Sequence, residues 1–217
     1  MISLKERFIF VHVPKTGGTS IKMRLSGYDL KKRWQPDPKE ILFLYTHFSA
    51  FHLRKALKEH DKSIQHESFL QFAFVRNPFE RVLSAFMYLS NGGGGTLQDL
   101  QFALLLKPFN LLFKDFIKNG LFQLGETIPH FFPQYFWTHK GLKDKPLNFI
   151  GRYENLENDF QYILNKVRPN DTNKDTSLPW LRKTDHLHYT LFYDGETKDL
   201  VAKFYKEDIK LFNYDFE

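Results

Sequence analysis

At 217 residues the chain is long enough for one sizeable α/β domain and short for two complete ones, so a single domain over 1–217 is expected. Composition is ordinary for a globular protein, 42% apolar and 26% charged, except that 24 phenylalanines forecast a large aromatic core; the absence of cysteine excludes disulfides, thiolate nucleophiles and the common zinc frameworks. A net charge of +6 favours an anionic ligand, but the basic residues are spread through the chain with no long arm or RNA-binding signature, so no nucleic-acid partner is expected.

"RFIFVHV" (7–13) is a short apolar run suited to a strand buried on both faces of a parallel sheet. It begins within a few residues of Met1, which leaves no room for a signal peptide, and no apolar run reaches the ~18 residues of a membrane span. The expectation is a cytoplasmic protein without integral membrane association. A glycine turn follows, then a helix through "TSIKMRLS" with Ile21 and Leu25 stacked at i, i+4 and Gly27 as its stop. "ILFLYTHF" (41–48) and "FLQFAFV" (69–75) read as further strands, each followed by a more polar or helical segment, and this alternation predicts a parallel α/β sheet flanked by helices. "FAFVRNPFERVLSAF" (72–86) passes from strand to helix, with Asn77 as N-cap, Pro78 at the first helical position and Glu80 completing a capping box. Phe79, Val82, Leu83 and Phe86 make its buried side, and Asn77, Arg81, Ser84 and Tyr88 share another face.

"NGGGG" (91–95) reads as a flexible connector. The helical stretch after it is interrupted at Pro108, and about 91–140 forms a helical, acceptor-binding segment in this reading. The aromatics around Pro133 serve as packing or as one wall of an acceptor cleft. "PLNFIG" (146–151) is a strand, and "NLENDFQYILNKV" an amphipathic helix with Leu156, Phe160, Ile163, Leu164 and Val167 on one stripe. "NDTNKDTSLPW" is a surface loop, and "DGETKDLVAKFYKEDIKLF" the closing helix.

Two stretches carry chemistry. In "PKTGGTS" the lysine precedes the glycines, unlike the common nucleotide loop G-x-x-x-x-G-K-[ST], yet the physics is shared. A turn containing Gly17 and Gly18 exposes successive N–H groups at a helix N-terminus, and Lys15, Thr16, Thr19 and Ser20 add donors, so the loop suits an anion. The bland alternative is a tight strand-to-helix turn. In the second stretch Arg76, at a strand end, and Ser84 can clamp a phosphate by charge-assisted bonds, against the alternative of a surface ion pair and a helix-surface serine.

Together these stretches resemble the sulfotransferase superfamily, in particular the carbohydrate sulfotransferase-like branch that uses 3′-phosphoadenosine 5′-phosphosulfate (PAPS). "PKTGGTS" is similar to that family's 5′-phosphosulfate loop, and "VRNPFERVLSAF" to its 3′-phosphate motif, whose Arg and Ser stand eight apart as Arg76 and Ser84 do. "NFIGRYENLENDF" looks like its strand and following helix, which implies Tyr153 on the nucleoside side. "LPWLRKTDH" looks like its late basic element, which implies Arg182 and Lys183 near the 3′-phosphate. The likeness is weakest over 91–130.

The resemblance implies a nucleoside-triphosphate-hydrolase-like, P-loop sulfotransferase fold and transfer of a sulfuryl group to a hydroxyl acceptor, a saccharide or glycan, with 3′,5′-bisphosphoadenosine (PAP) as product and no metal. Lys15 would stabilise the charge that grows on the leaving phosphate. His47, in "YTHFS" after the second strand, resembles the histidine base of some carbohydrate sulfotransferases, its alternative being a partly buried structural histidine. His12 reads as structural, and His186 with His188 as an H-x-H pair lacking a third ligand. Two rivals stand beside this reading. An ATP-dependent phosphotransferase should show a Walker-type lysine, and a non-catalytic nucleotide- or sulfated-glycan-binding protein would need neither Lys15 nor His47.

Overall fold

The computed structural model describes residues 1–26, 41–42, 47–110, 112–142, 145–170, 177–178 and 187–217. In chain order its elements are β1 (Ile2–Ser3), β2 (Phe8–Val11), α1 (Gly18–Ser26), β3 (Ile41–Leu42), α2 (Ala50–His60), β4 (Leu70–Val75), α3 (Pro78–Ser90), α4 (Leu97–Leu106), α5 (Phe113–Asn119), α6 (Leu121–Leu124), α7 (Gln134–Thr138), β5 (Phe149–Arg152), α8 (Leu156–Val167), α9 (Gly195–Phe204) and α10 (Lys206–Phe212), with short 3₁₀ turns between some of them. Among the described residues no helix is long and apolar enough to cross a membrane.

The chain forms two compact units, one from Met1–Val75 with Phe136–Leu181 and the other from Arg76–Tyr135 with Arg182–Glu217. In the first unit the strands form one sheet in the order β3-β1-β2-β4-β5. β2, β4 and β5 are parallel, joined through registers such as Phe10↔Phe72 and Phe74↔Gly151. The wholly parallel sheet read from the sequence is corrected on its other side. β1, a two-residue strand too short to show any periodicity, runs antiparallel to both β2 and β3. Two reversals restore direction, so β3 points the same way as β2 and their C-terminal ends share one edge of the sheet.

The second strand is also shorter than its apolar run: Ile41–Leu42 is strand, 43–46 lie outside the described residues, and by Ser49 the chain is capping α2, the serine hydroxyl accepting from the His52 N–H. Gly27 and most of the polar 170–180 loop likewise lie outside the described residues. The forecast aromatic core is present: Phe8, Phe10, Phe72 and Phe74 are fully buried, and Phe10 stacks on Phe72 at 5.2 Å. Ile21 and Leu25 of α1 and Phe160, Ile163 and Leu164 of α8 pack into the same cluster, the α8 stripe at its helical period.

The second unit is helical. Phe79, Val82, Leu83 and Phe86 of α3 pack with Phe113, Phe116 and Ile117 of α5, and with Phe131, Val201 and Tyr205. Pro108 ends α4 as expected, through a single 3₁₀ turn over Lys107–Phe109. Two of the four glycines lie against a carboxylate: Gly94 N–H donates to Asp99 Oδ2 at 2.9 Å, and a Cβ on Gly93 would lie 2.6 Å from the Asp99 Cβ. The closing helix is two, α9 and α10, broken at Tyr205. That side chain is fully buried, with its hydroxyl donating to the Phe131 carbonyl at 2.7 Å.

Candidate functional site

In the first unit the β2–α1 connection is built around two left-handed residues. Gly17 has φ 78°, natural for glycine, but Lys15 has φ 68°. A side-chain-bearing residue there carries a cost of order 1 kcal/mol, and such strain concentrates where function holds it. Left-handed residues at 15 and 17 stand on either side of Thr16, whose φ is not positive, and alternation of this kind is a feature of loops that cradle anions. The Thr16 side chain is fully buried and its hydroxyl donates to the Val13 carbonyl at 2.9 Å, which closes the turn. That proton therefore serves the loop rather than a ligand, and Thr16 offers an anion its main chain. Ser20 is buried on the first turn of α1, while Lys15, Gly17 and Thr19 are half-buried.

Gly17 is required for space as well as for φ. A Cβ there would lie 2.8 Å from Leu156 Cδ2 and 3.6 Å from the Tyr153 ring, so Tyr153, 136 positions away in the chain, covers this loop. Gly18 has a different neighbour: its Cβ would fall 1.9 Å from His12 Cδ2 and 2.2 Å from His12 Nε2. His12 is thus the buried wall of the helix N-terminus, and one of its neighbours is His47, the two ring centroids 4.3 Å apart.

His47 itself is exposed, and its Nδ1 lies 3.1 Å from the His12 carbonyl oxygen. A carbonyl only accepts, so Nδ1 carries the proton in this bond and Nε2 of the neutral ring holds the lone pair. Trp137, almost fully buried, lies 6.2 Å away ring to ring. His12, read as structural, is buried. The same region holds His139, which burial pushes below the ordinary histidine range.

In the second unit Arg76 sits immediately after β4 and before α3, 6% exposed. Its Nη2 donates to Glu80 Oε1 at 2.7 Å across one helical turn. This corrects the capping-box reading of Glu80. The N-cap bond of α3 is made by Asn77, whose side chain accepts from the Phe79 N–H rather than from that of Glu80, and the Glu80 carboxylate pairs with the guanidinium. Ser84 is one turn further along α3 and 2% exposed, and Arg81 is fully buried. The stripe read as polar is therefore an interior one, and its charges are answered inside: Arg81 donates to the carbonyls of His130 and Phe132, at 3.1 and 2.7 Å.

Two residues that local pattern did not reveal, Gln134 and Asp208, surround Arg76 and Arg81. Gln134 bonds the Arg76 main chain, Asp208 accepts from the N–H groups of Gln134 and Tyr135, and Arg81 lies close enough to act on Asp208. Burial pushes the Asp208 carboxyl above the ordinary aspartate range, while Arg81 and the N–H donors pull it back. Nothing in "PQYFW" signals this, because the partners lie 58 and 74 residues away. Arg182 and Lys183 lie outside the described residues, as does His186. Each set of expected site residues thus falls within its own unit: Lys15 to Ser20 with Tyr153 and His47 in one, Arg76 and Ser84 in the other.

Comparison with known proteins gives a consistent family. A model of the Sulfotransferase family matches residues 1–215. An uncharacterized protein of Archaeoglobus fulgidus is 31% identical over 101 residues, 46% of this chain and 69% of its own length. No solved structure matches.

Proposed function

The chain belongs to the sulfotransferase family, and from that premise we propose that it moves a sulfuryl group from PAPS to a hydroxyl of a saccharide or glycan, releasing PAP, on a P-loop-like sulfotransferase fold. The observation that carries the reading is the strained β2–α1 loop. A lysine held at φ 68° in a turn with Gly17 at φ 78°, with Tyr153 over Gly17, suits a 5′-phosphosulfate under a nucleoside. Arg76 and Ser84 take the 3′-phosphate in this proposal, with Arg182 and Lys183 as further ligands.

The chemistry then divides among this chain's residues. The acceptor oxygen bonds to sulfur as the sulfur–oxygen bond to the 5′-phosphate breaks, and negative charge grows on the leaving phosphate. Lys15 and the loop N–H groups meet that charge where it develops, which favours the transition state over bound donor. The acceptor proton passes to His47 Nε2, the nitrogen left basic by the bond from Nδ1 to the His12 carbonyl.

Thermal melting with PAP and with ATP, both without magnesium, tests the donor assignment. PAP should raise the melting temperature and ATP should do less. Arg76→Ala should weaken PAP binding by about 2 kcal/mol, the loss of a charge-assisted contact at a desolvated site, and Lys15→Ala should lower turnover more than binding. Equal stabilisation by ATP, or a strict need for magnesium, would overturn the donor. Labelled PAPS offered with a panel of saccharides and simple alcohols, read as sulfuryl mass gain, tests the acceptor class. Transfer to the alcohols alone would overturn the saccharide.

A further inference from the structure

Arg76 is held through its backbone as firmly as through its side chain. Its N–H donates to Gln134 Oε1 and its carbonyl accepts from Gln134 Nε2, both at 2.8 Å. One primary amide thus reads both main-chain groups of a residue that has just left β4. Gln134 is fully buried, and its own N–H donates to Oδ2 of Asp208 at 2.7 Å while the Tyr135 N–H donates to Oδ1 at 2.8 Å. Asp208 is also fully buried.

Burying an amide and a carboxylate this deeply costs stability unless each is satisfied by partners; here the amide's are the two main-chain groups of Arg76 and the carboxylate's are the N–H groups of Gln134 and Tyr135. A clamp on both main-chain groups restrains the backbone angles at 76, and with them the direction of the Cα–Cβ bond. On a side chain as long as arginine's, a backbone rotation of about 10–20° moves the guanidinium by about 1 Å or more, enough to lose productive geometry. The Glu80 bond restrains the far end of the same side chain.

Resting on the assignment of the 3′-phosphate to Arg76, we infer that Gln134 is a positioning residue for that phosphate: its amide ties the Arg76 main chain to the buried Asp208 carboxylate and so aims the guanidinium. Gln134 does not touch the nucleotide. Its effect is confined to the part of the ligand that Arg76 holds.

The test compares PAP with adenosine 5′-monophosphate, which differs only by the 3′-phosphate, using calorimetric titration. The ratio of the two dissociation constants measures what the 3′-phosphate contributes. Gln134→Met, similar in volume but unable to make either bond, should lower that ratio roughly tenfold while leaving monophosphate affinity unchanged, and should have no further effect on an Arg76→Ala background. Gln134→Glu keeps the acceptor for the Arg76 N–H but sets an oxygen against the Arg76 carbonyl where Nε2 donated, so it too should lower the ratio roughly tenfold. If Gln134→Met does not fold, Gln134→Glu decides the matter.

An unchanged ratio, an equal loss of both nucleotides, or a further loss on the Arg76→Ala background would overturn the inference alone. A wild-type protein that holds the two nucleotides equally would instead overturn the 3′-phosphate assignment itself, and the inference with it.

Discussion

Gly18→Ala isolates the packing on which the proposed 5′ site depends. Gly18 opens α1, and its φ is not positive, so alanine meets no backbone penalty there and carries the better helix propensity by about 1 kcal/mol. The obstacle is one side chain: the new Cβ would stand 1.9 Å from His12 Cδ2 and 2.2 Å from Nε2. Ordinary contact begins near 3.4 Å, so the ring would have to retreat by about 1.5 Å. It has little room to do so, since His12 is 6% exposed, with Phe10 stacked at 5.9 Å and the His47 ring at 4.3 Å. Overpacking of this kind costs about 1–3 kcal/mol, and a loss of 2 kcal/mol in a chain this size lowers the melting temperature by about 4–8 °C.

Urea unfolding of Gly18→Ala, His12→Ala and the double variant separates clash from any other defect. His12→Ala alone removes a buried ring and is destabilising. On that background Gly18→Ala should become neutral or stabilising, because the Cβ enters vacated space and only the propensity gain remains. A single variant as stable as wild type, or one whose penalty persists without His12, would refute the packing argument.

At the neighbouring loop position, Lys15→Gly should unfold at higher urea than Lys15→Ala, by about 0.5–1 kcal/mol after the entropic cost of glycine, since only glycine relieves the φ of 68°. Both variants should lose turnover on labelled PAPS, so the more stable one is still inactive. His47→Ala should leave PAP affinity and melting temperature nearly unchanged and lower turnover about 10²-fold or more. Wild-type activity should fall toward acid pH as the imidazole is protonated, with that inflection absent from the variant; near-normal turnover would remove the base. In the second unit Asp194 caps α9, its carboxylate held well below the ordinary aspartate range by the Thr197 N–H and hydroxyl and then by Lys114. A lowered carboxyl stabilises the fold above the unfolded-state value and loses that contribution as pH falls through the folded value. Asp194→Ala should therefore melt below wild type at neutral pH, and the gap should close as pH drops below the usual aspartate range.

Local chemistry was legible in the sequence wherever it acts over a few residues. A β-rich run followed by lysine and glycines announced the loop before α1, Asn77-Pro78 announced the start of α3, and the Leu156 to Val167 stripe announced α8, because caps, turns and helical periods depend on near neighbours. Arg76 at the end of a strand and Ser84 on the following helix were paired by the resemblance of their eight-residue spacing to the family's motif. The tertiary structure decided what their surroundings are. Glu80 reads equally well as cap or ion-pair partner until the guanidinium of Arg76 is seen 2.7 Å away. β1 has two residues and shows no period, so only its pairing with β2 and β3 reveals a mixed sheet. His12 and His47 were told apart in the sequence by position alone; only the fold shows one buried against Gly18 and the other exposed, its Nδ1 bonded across 35 residues to the His12 carbonyl. Gln134 and Asp208 carry no local signal at all. A buried amide is stable only if its partners arrive from elsewhere in the chain, and that arrival is a property of the folded state.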